Sequence, residues 1–134
     1  MQKAYIDKLA FIDIQDKKLL STKSVGKDTW YIPGGKREEN ETDHQALIRE
    51  VKEELTVDLI PESITYYGTF EAQAHGKPEG TIVRMTCYKA KYQGQFKASS
   101  EVAEFQYVPY VWKEQSSPVD KLIFDDLKMK GLIE

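Results

Sequence analysis

Acidic side chains are concentrated in one segment of the sequence, residues 37–54, which holds seven of the 22 Asp and Glu residues. If this segment is helical, Glu50, Glu53 and Glu54 project within an arc of about 100°, because successive residues turn by about 100°. Carboxylates three and four positions apart on a helix repel each other. A divalent cation would offset this repulsion, since Mg²⁺ and Mn²⁺ prefer carboxylate oxygens as ligands. The alternative is a solvated acidic face that binds no ligand.

Local signals predict that the acidic segment forms a helix. Thr42 and Gln45 have the spacing of a capping box at a helix start. Apolar side chains recur behind them at helical spacing, namely Leu47, Ile48, Val51 and Leu55. On a helical projection these apolar residues occupy the arc next to the glutamates. The carboxylates are therefore expected at the edge of the buried face of the helix.

Two consecutive glycines, Gly34 and Gly35, lie between a strand-like stretch at residues 30–32 and the predicted helix. Glycine permits positive φ angles and leaves the backbone bare near a ligand. A carbonyl exposed there can complete a metal coordination shell, and an amide can contact phosphate. A plain turn is the alternative interpretation of these two residues.

Alternating and β-branched stretches predict a sheet around this helix. Strands are expected at residues 8–14, 19–24, 30–32, 64–74, 81–92 and 105–108, and a second helix at residues 119–132. Because these strands and helices do not alternate strictly, the pattern favours an α+β fold with a mixed sheet.

Together the glycine turn and the helix resemble the signature of Nudix hydrolases: Gly, five residues, Glu, seven residues, Arg-Glu, an aliphatic residue, any residue, Glu-Glu, any residue, Gly and an aliphatic residue. The sequence matches this pattern from Gly35 to Val57, a span of 23 residues, with Glu41 and Arg49 in place. The one departure is Thr56, which replaces the last glycine. The resemblance implies an α/β/α sandwich around a mixed β-sheet, in a single domain covering residues 1–134.

The resemblance also implies roles for individual residues. Glu50 and Glu54 correspond to direct metal ligands, Glu53 to a ligand or near neighbour, Gly35 to a further metal contact through its carbonyl, Arg49 to the side chain that orients the glutamates, and Glu41 to a support of the loop–helix junction. An acidic stretch at residues 99–105 resembles a loop from which some Nudix hydrolases draw a catalytic base or another metal ligand. The predicted catalytic set is therefore Glu53, Glu50, Arg49, Glu101 and Glu104.

These roles imply Mg²⁺-dependent hydrolysis, with Mn²⁺ as an alternative ion, of a pyrophosphate bond in a nucleoside diphosphate linked to another group. A nucleoside triphosphate, including an oxidised one, is one candidate substrate. Basic side chains would stabilise the phosphate charge, and the candidates are Lys23, Lys36, Arg37 and Arg84. Two other functions stay open: a Nudix-like module that senses a nucleotide without cleaving it, and an acidic domain that binds a partner.

The residue at position 56 bears on how the acidic helix ends. Glycine readily adopts the left-handed conformation that ends many helices. A β-branched residue such as Thr56 is disfavoured there by about 1 kcal/mol. We therefore expect that the helix end adjusts around Thr56 and that the metal site persists.

Composition limits the remaining classes. The chain has 134 residues, of which 40% are hydrophobic and 31% charged, which fits one globular domain. No apolar stretch approaches the roughly 18 residues of a membrane span, and the N-terminus lacks the apolar run of a secretory signal. A single cysteine, Cys87, suits the reducing cytoplasm. With a net charge of −3, we expect a small nucleotide as partner and no long nucleic acid, and by resemblance a homodimer.

Overall fold

The computed structural model describes residues 4–134 and shows two helices packed on opposite faces of a mixed sheet. The strands in this range are β1 (Ala4–Phe11), β2 (Ile14–Gln15), β3 (Lys18–Ser24), β4 (Trp30–Tyr31), β5 (Gly34–Gly35), β6 (Asp58–Leu59), β7 (Thr65–Gln73), β8 (Thr81–Lys89), β9 (Tyr92–Gln93) and β10 (Val102–Val108). The α-helices are α1 (Asp43–Leu55) and α2 (Pro118–Met129), and short 3-10 helices occur at Pro61–Ser63 and Tyr110–Gln115. The architecture is the predicted α+β fold.

The central sheet has four strands in the order β5-β1-β8-β7. β1 runs parallel to β8, with Ala4 opposite Thr81, while β5 and β7 pair antiparallel with their neighbours. A second sheet has the order β10-β3-β2, with β4 also pairing with β3, and β6 and β9 form a separate ladder. Parallel pairing of β1 and β8 requires a long connection between them, and this connection contains the glycine turn and α1.

Alternating side chains of β1 divide the interior into two cores, one on each side of the sheet. Leu9 and Phe11 pack in the core that contains the buried face of α1. On α1, Leu47 and Val51 are fully buried in this core. Ala10 packs with residues of α2 on the other side. This layering of helix, sheet and helix confirms the predicted α/β/α sandwich.

Helix α1 begins where the sequence predicts. The Gln45 N–H donates to Thr42 Oγ1 at 3.1 Å, and the Thr42 N–H donates to Gln45 Oε1 at 3.0 Å, so the capping box is present. Such a cap stabilises a helix start by about 1 kcal/mol. The cap therefore fixes the first turn of α1, and the glutamates follow about two turns later on the same helix.

Several element boundaries differ from the sequence prediction, and β10, for example, starts at Val102 and not at residue 105, so that Glu104 lies on a strand and not in a loop. β1 starts at Ala4 and not at residue 8, because its pairing with β8 extends over the whole of Ala4–Phe11. α2 starts at Pro118, since proline suits the first helical turn, and ends at Met129. Neither helix has the length and apolar character needed to cross a membrane, and no other helix within residues 4–134 has them.

Candidate functional site

The glycine turn lies directly against the glutamates of α1. Its two residues form β5, which pairs with β1 and places the turn beside the helix. The Gly34 N–H donates to Glu54 Oε1 at 3.0 Å. Gly34 has a φ of 144°, and a Cβ there would overlap the Leu9 carbonyl, while a Cβ at Gly35 would overlap the Glu50 carboxylate. Larger residues would therefore displace the strand or the carboxylates.

Glu54 is the most perturbed carboxylate of α1. Burial raises the pKa of Glu54 to about 8, even though the hydrogen bond from the Gly34 N–H acts to lower it. The negative charges of Glu50, Glu53 and Glu101 raise this pKa further. Burial also raises the pKa of Glu50, against the lowering effect of Arg49. A positive charge placed among these carboxylates would stabilise their ionised forms.

Arg49 links α1 to the segment that follows the glycine turn. Its Nε and Nη2 donate to the two carboxylate oxygens of Glu41 at 2.7 and 2.9 Å, and Nη2 also donates to the Lys36 carbonyl at 3.0 Å. Its Nη1 donates to Glu50 Oε1 at 2.9 Å and to Glu53 Oε1 at 3.3 Å. Hydrogen bonding to this guanidinium lowers the pKa of Glu41 to about 2. The guanidinium therefore fixes the orientation of Glu50.

The later acidic candidates are placed differently from each other. The Ser99 N–H donates to the Glu54 carbonyl at 3.0 Å, which ties the loop before β10 to the end of α1. Glu101 follows in this loop and is exposed, and its negative charge raises the pKa of Glu54. Glu104 lies on β10, where its carboxylate is 4.0 Å from Lys23 Nζ. The structure thus brings Glu101 toward the glutamates of α1, and a catalytic role for either residue stays a prediction.

The predicted phosphate-binding side chains are mostly engaged in ion pairs. Arg84 Nε lies 2.7 Å from Glu71, and Arg37 pairs with Asp43. Lys23 pairs with Glu104 on β10. None of the four candidates lines either of the two cavities described next. Their contacts with phosphate stay predictions.

Two cavities adjoin each other, and one of them opens beside the glycine turn. One, of about 200 Å³, is lined by both glycines and by Glu54. The other, of about 70 Å³, extends to residues 73–77 and to the start of α2. Both cavities are lined by Lys8, Tyr31 and Met85. The two cavities therefore adjoin at these residues, and we refer to them together as the cleft; the sequence did not predict it.

The oxygen donors at the glycine turn suit a divalent cation. Within residues 4–134, no three acidic, histidine or cysteine side chains form a ready-made group that could hold a metal ion. Two of the carboxylates have hydrogen-bond partners in the protein: Arg49 donates to Glu50, and the Gly34 N–H donates to Glu54. Both carboxylates and the Gly35 carbonyl are the hard donors that Mg²⁺ and Mn²⁺ prefer. A cation would also relieve the mutual repulsion that raises the pKa of Glu54.

The end of α1 does not adjust around Thr56, so our expectation for this residue is wrong. Thr56 has a φ of 68° and a ψ of 12°, the left-handed conformation that glycine favours. Its Oγ1 donates to the Lys97 carbonyl at 2.8 Å, and the Lys97 N–H donates to the Leu55 carbonyl at 2.9 Å. The hydrogen bond from the Thr56 hydroxyl offsets the strain of the left-handed conformation. It also joins the segment before Glu101 to the end of α1.

Replacing Thr56 with valine is expected to lower the free energy of unfolding by about 1 kcal/mol, because the hydroxyl bond is lost while the left-handed strain remains. Thr56→Ser keeps the hydroxyl and should stay within about 0.5 kcal/mol of the wild type. Urea unfolding of the three proteins in one buffer measures the differences. Equal stability of the valine and serine variants would contradict a stabilising role for the hydrogen bond to Lys97.

A family comparison agrees with this arrangement of turn, helix and sheet. The model of the NUDIX domain matches residues 9–121 of the chain. The chain belongs to the Nudix family. This Nudix chain also superimposes on the MutT protein from Methanosarcina mazei Go1 with a TM-score of 0.76 and 18% identity, over 98% of each chain. That likeness shows the shared fold.

Two curated relatives of this Nudix chain are similar over shorter stretches. The 8-oxo-dGTP diphosphatase of Proteus vulgaris is 42% identical over 53 residues, which cover 40% of this chain and 43% of the relative. The dihydroneopterin triphosphate diphosphatase of Escherichia coli (strain K12) is 42% identical over 59 residues, which cover 42% of this chain and 39% of the relative. The chain therefore matches less than half the length of each relative.

Proposed function

We propose that this Nudix protein hydrolyses the pyrophosphate bond of a nucleoside diphosphate linked to another group, with Mg²⁺ as the metal and Mn²⁺ as an alternative. The observation that carries the proposal is the setting of Glu54, a half-buried carboxylate with a raised pKa that accepts a hydrogen bond from the Gly34 N–H. The negative charges of Glu50 and Glu101 act on it. Such a carboxylate is unfavourable without a counter-charge, and a divalent cation supplies one.

The residues of the chain divide the chemistry among them. Glu50, Glu54 and the Gly35 carbonyl would hold the metal, which when bound neutralises phosphate oxygens and lowers the pKa of a water molecule. Arg49 keeps Glu50 oriented through its hydrogen bond. Glu53 and Glu101 are exposed beside this site and are the candidate bases that accept a proton from the attacking water. The water attacks one phosphorus, and the other phosphate leaves.

We propose a nucleoside triphosphate or a related triphosphate as the substrate. The names of the two curated relatives state 8-oxo-dGTP and dihydroneopterin triphosphate as their substrates, and both molecules are triphosphates. The cavity at Glu54 adjoins a second cavity that extends to the start of α2, and this second cavity would take the group attached to the phosphates. The cleft thus supports a substrate with one charged end and one less polar end.

A substrate panel tests this proposal directly. Purified protein is incubated with Mg²⁺ and nucleoside triphosphates, oxidised nucleoside triphosphates, dihydroneopterin triphosphate and nucleotide sugars, and released phosphate and pyrophosphate are measured. Metal-dependent release from at least one compound is the expected result. Tight binding without turnover would favour a nucleotide-sensing module, and stability that responds to neither Mg²⁺ nor nucleotide would favour an acidic partner-binding domain.

The proposed partner is therefore a small molecule. The net charge of −3 gives long nucleic acid no favourable surface as a whole. We also propose a homodimer, which rests on the resemblance to other Nudix hydrolases and which sedimentation of the purified protein measures. A cytoplasmic location stays a prediction from the single Cys87.

A further inference from the structure

One lysine lies at the junction of the two cavities. Lys8 is on β1 directly opposite Met85 of β8, and both residues line both cavities. Side chains alternate along a strand, so Lys8 shares a sheet face with Ile6 and Ala10. These two neighbours pack in the apolar core next to α2. Lys8 is thus a charged residue in an otherwise apolar row, with its side chain reaching the cleft.

The ammonium of Lys8 lacks a partner within the described part of the chain. It forms no hydrogen bond with any residue in the range 4–134, and burial lowers the pKa of Lys8. Two carboxylates, Asp120 and Glu54, favour its charged form, while Lys36 and Lys77 oppose it. Burying a charge without a hydrogen-bonded partner is costly. A ligand that enters the cleft can supply the missing partner.

We propose that Lys8 binds an anionic phosphate oxygen of the substrate, at the point where the phosphate chain passes from the first cavity toward the second. This inference rests on the proposed function, since it takes the substrate to be a nucleoside polyphosphate. An ammonium on a flexible stem can donate to phosphate oxygens from several directions. Lys8 would therefore select for substrates whose charge extends beyond the site of the α1 glutamates.

The two cavities differ in a way that orients the substrate. The first contains the glycine turn and Glu54, so a metal-bound phosphate belongs there. The second is lined by Ile6, Val83 and Val119, apolar side chains that suit an uncharged group. A molecule with phosphates at one end and an uncharged ring at the other would lie next to Lys8, which lines both cavities. This position beside both cavities distinguishes Lys8 from the lysines and arginines that form ion pairs elsewhere on the surface.

Calorimetric titration with inorganic triphosphate tests the contact without any turnover. Lys8→Met, Lys8→Gln and Lys8→Arg are compared with the wild type, in Mg²⁺ and again in EDTA. Lys89→Met is the matched control, because Lys89 is also half-buried, lies on the neighbouring strand β8 over the Tyr67 ring at 5.4 Å, and lines neither cavity. The Met and Gln variants are expected to weaken binding about 10-fold, which corresponds to one lost charge-assisted hydrogen bond. The Arg and control variants should stay within about threefold of the wild type.

Kinetics on the best compound of the substrate panel give a second readout. A ground-state phosphate contact predicts that Lys8→Met raises KM about 10-fold and leaves kcat within about threefold. Wild-type-like triphosphate affinity in a folded Lys8→Met or Lys8→Gln protein overturns the inference, as does a wild type that binds no triphosphate with Mg²⁺. A wild type that binds triphosphate through Lys8 but turns over no compound overturns the proposed hydrolysis and leaves the Lys8 contact standing. Thermal melting of each variant shows which of them are folded.

Discussion

Glu54→Gln is expected to reduce Mg²⁺-dependent hydrolysis by at least about 100-fold while the protein stays folded. The variant keeps an Oε1 that can accept the Gly34 N–H, which lies 3.0 Å away in the wild type. It loses the negative charge that would hold a metal together with Glu50. Because burial raises the pKa of Glu54 to about 8, removing this carboxylate should not reduce the stability of the metal-free protein. Turnover and thermal melting are measured on the same preparations.

A charge-matched control separates the site from the surface. Glu62→Gln also removes one carboxylate, but Glu62 is exposed on the short 3-10 helix Pro61–Ser63. This control should keep its turnover within about twofold of the wild type. Mg²⁺ should raise the melting temperature of the wild type and of the control more than that of Glu54→Gln. Full Mg²⁺-dependent turnover in Glu54→Gln would show that Glu54 is not a metal ligand.

Local parts of the fold could be predicted because their causes lie close together in sequence. The start of α1 follows from Thr42 and Gln45, which are three residues apart and whose hydrogen bonds are both present. The buried face of α1 follows from apolar spacing within one helix. The resemblance to Nudix hydrolases implied that Glu54 and the glycine turn lie close together, because both contact the metal there, but the hydrogen bond from Gly34 across twenty positions was not predicted.

Long-range pairing explains what the sequence could not show. The parallel pairing of β1 with β8 joins residues more than 70 positions apart, so nothing near Ala4 reveals that the strand starts there. Lys8 interrupts an apolar alternation and was not recognised as a cleft residue, since its neighbours in the cleft come from β8 and the segment near Tyr31. A strand lysine between two apolar residues of the same sheet face, here Ile6 and Ala10, is the signal that could have identified it.

Thr56 shows the limit of judging one residue by its intrinsic preference. A β-branched residue in the left-handed conformation costs about 1 kcal/mol, and from this cost we expected the helix end to move. The partner that offsets the cost is the Lys97 carbonyl, 41 positions away, which bonds to the Thr56 hydroxyl at 2.8 Å. This long-range contact stabilises the left-handed conformation of Thr56, and it cannot be predicted from a single sequence.

Asp120 is a buried ionisable residue that, like Lys8, the sequence analysis did not identify. It lies in the first turn of α2, where an acidic residue is ordinarily exposed, yet it is fully buried. Its Oδ2 accepts the Ile32 N–H at 2.9 Å, and its Oδ1 has no hydrogen-bond partner among residues 4–134. Burial raises the pKa of Asp120 to about 7, against the lowering effects of the Ile32 N–H, the Ser117 side chain and Lys8. This carboxyl therefore joins α2 to the segment that leads into the glycine turn.

Comparison of Asp120→Asn with the wild type is expected to show a stability difference that depends on pH. Below about pH 3 the wild-type carboxyl is protonated in both states. As the pH rises through 3.8 the unfolded chain releases the proton first, so folding is progressively opposed until the folded group ionises near pH 7. A rise in pKa from 3.8 to about 7 corresponds to about 4 kcal/mol of lost unfolding free energy. Asparagine can still accept the Ile32 N–H and does not titrate. Urea unfolding of both proteins is measured from pH 4 to pH 8. The free energy of unfolding of Asp120→Asn should rise relative to that of the wild type, by up to this amount, as the pH increases. A difference that stays constant with pH would mean that Asp120 ionises as easily in the folded protein as in the unfolded chain.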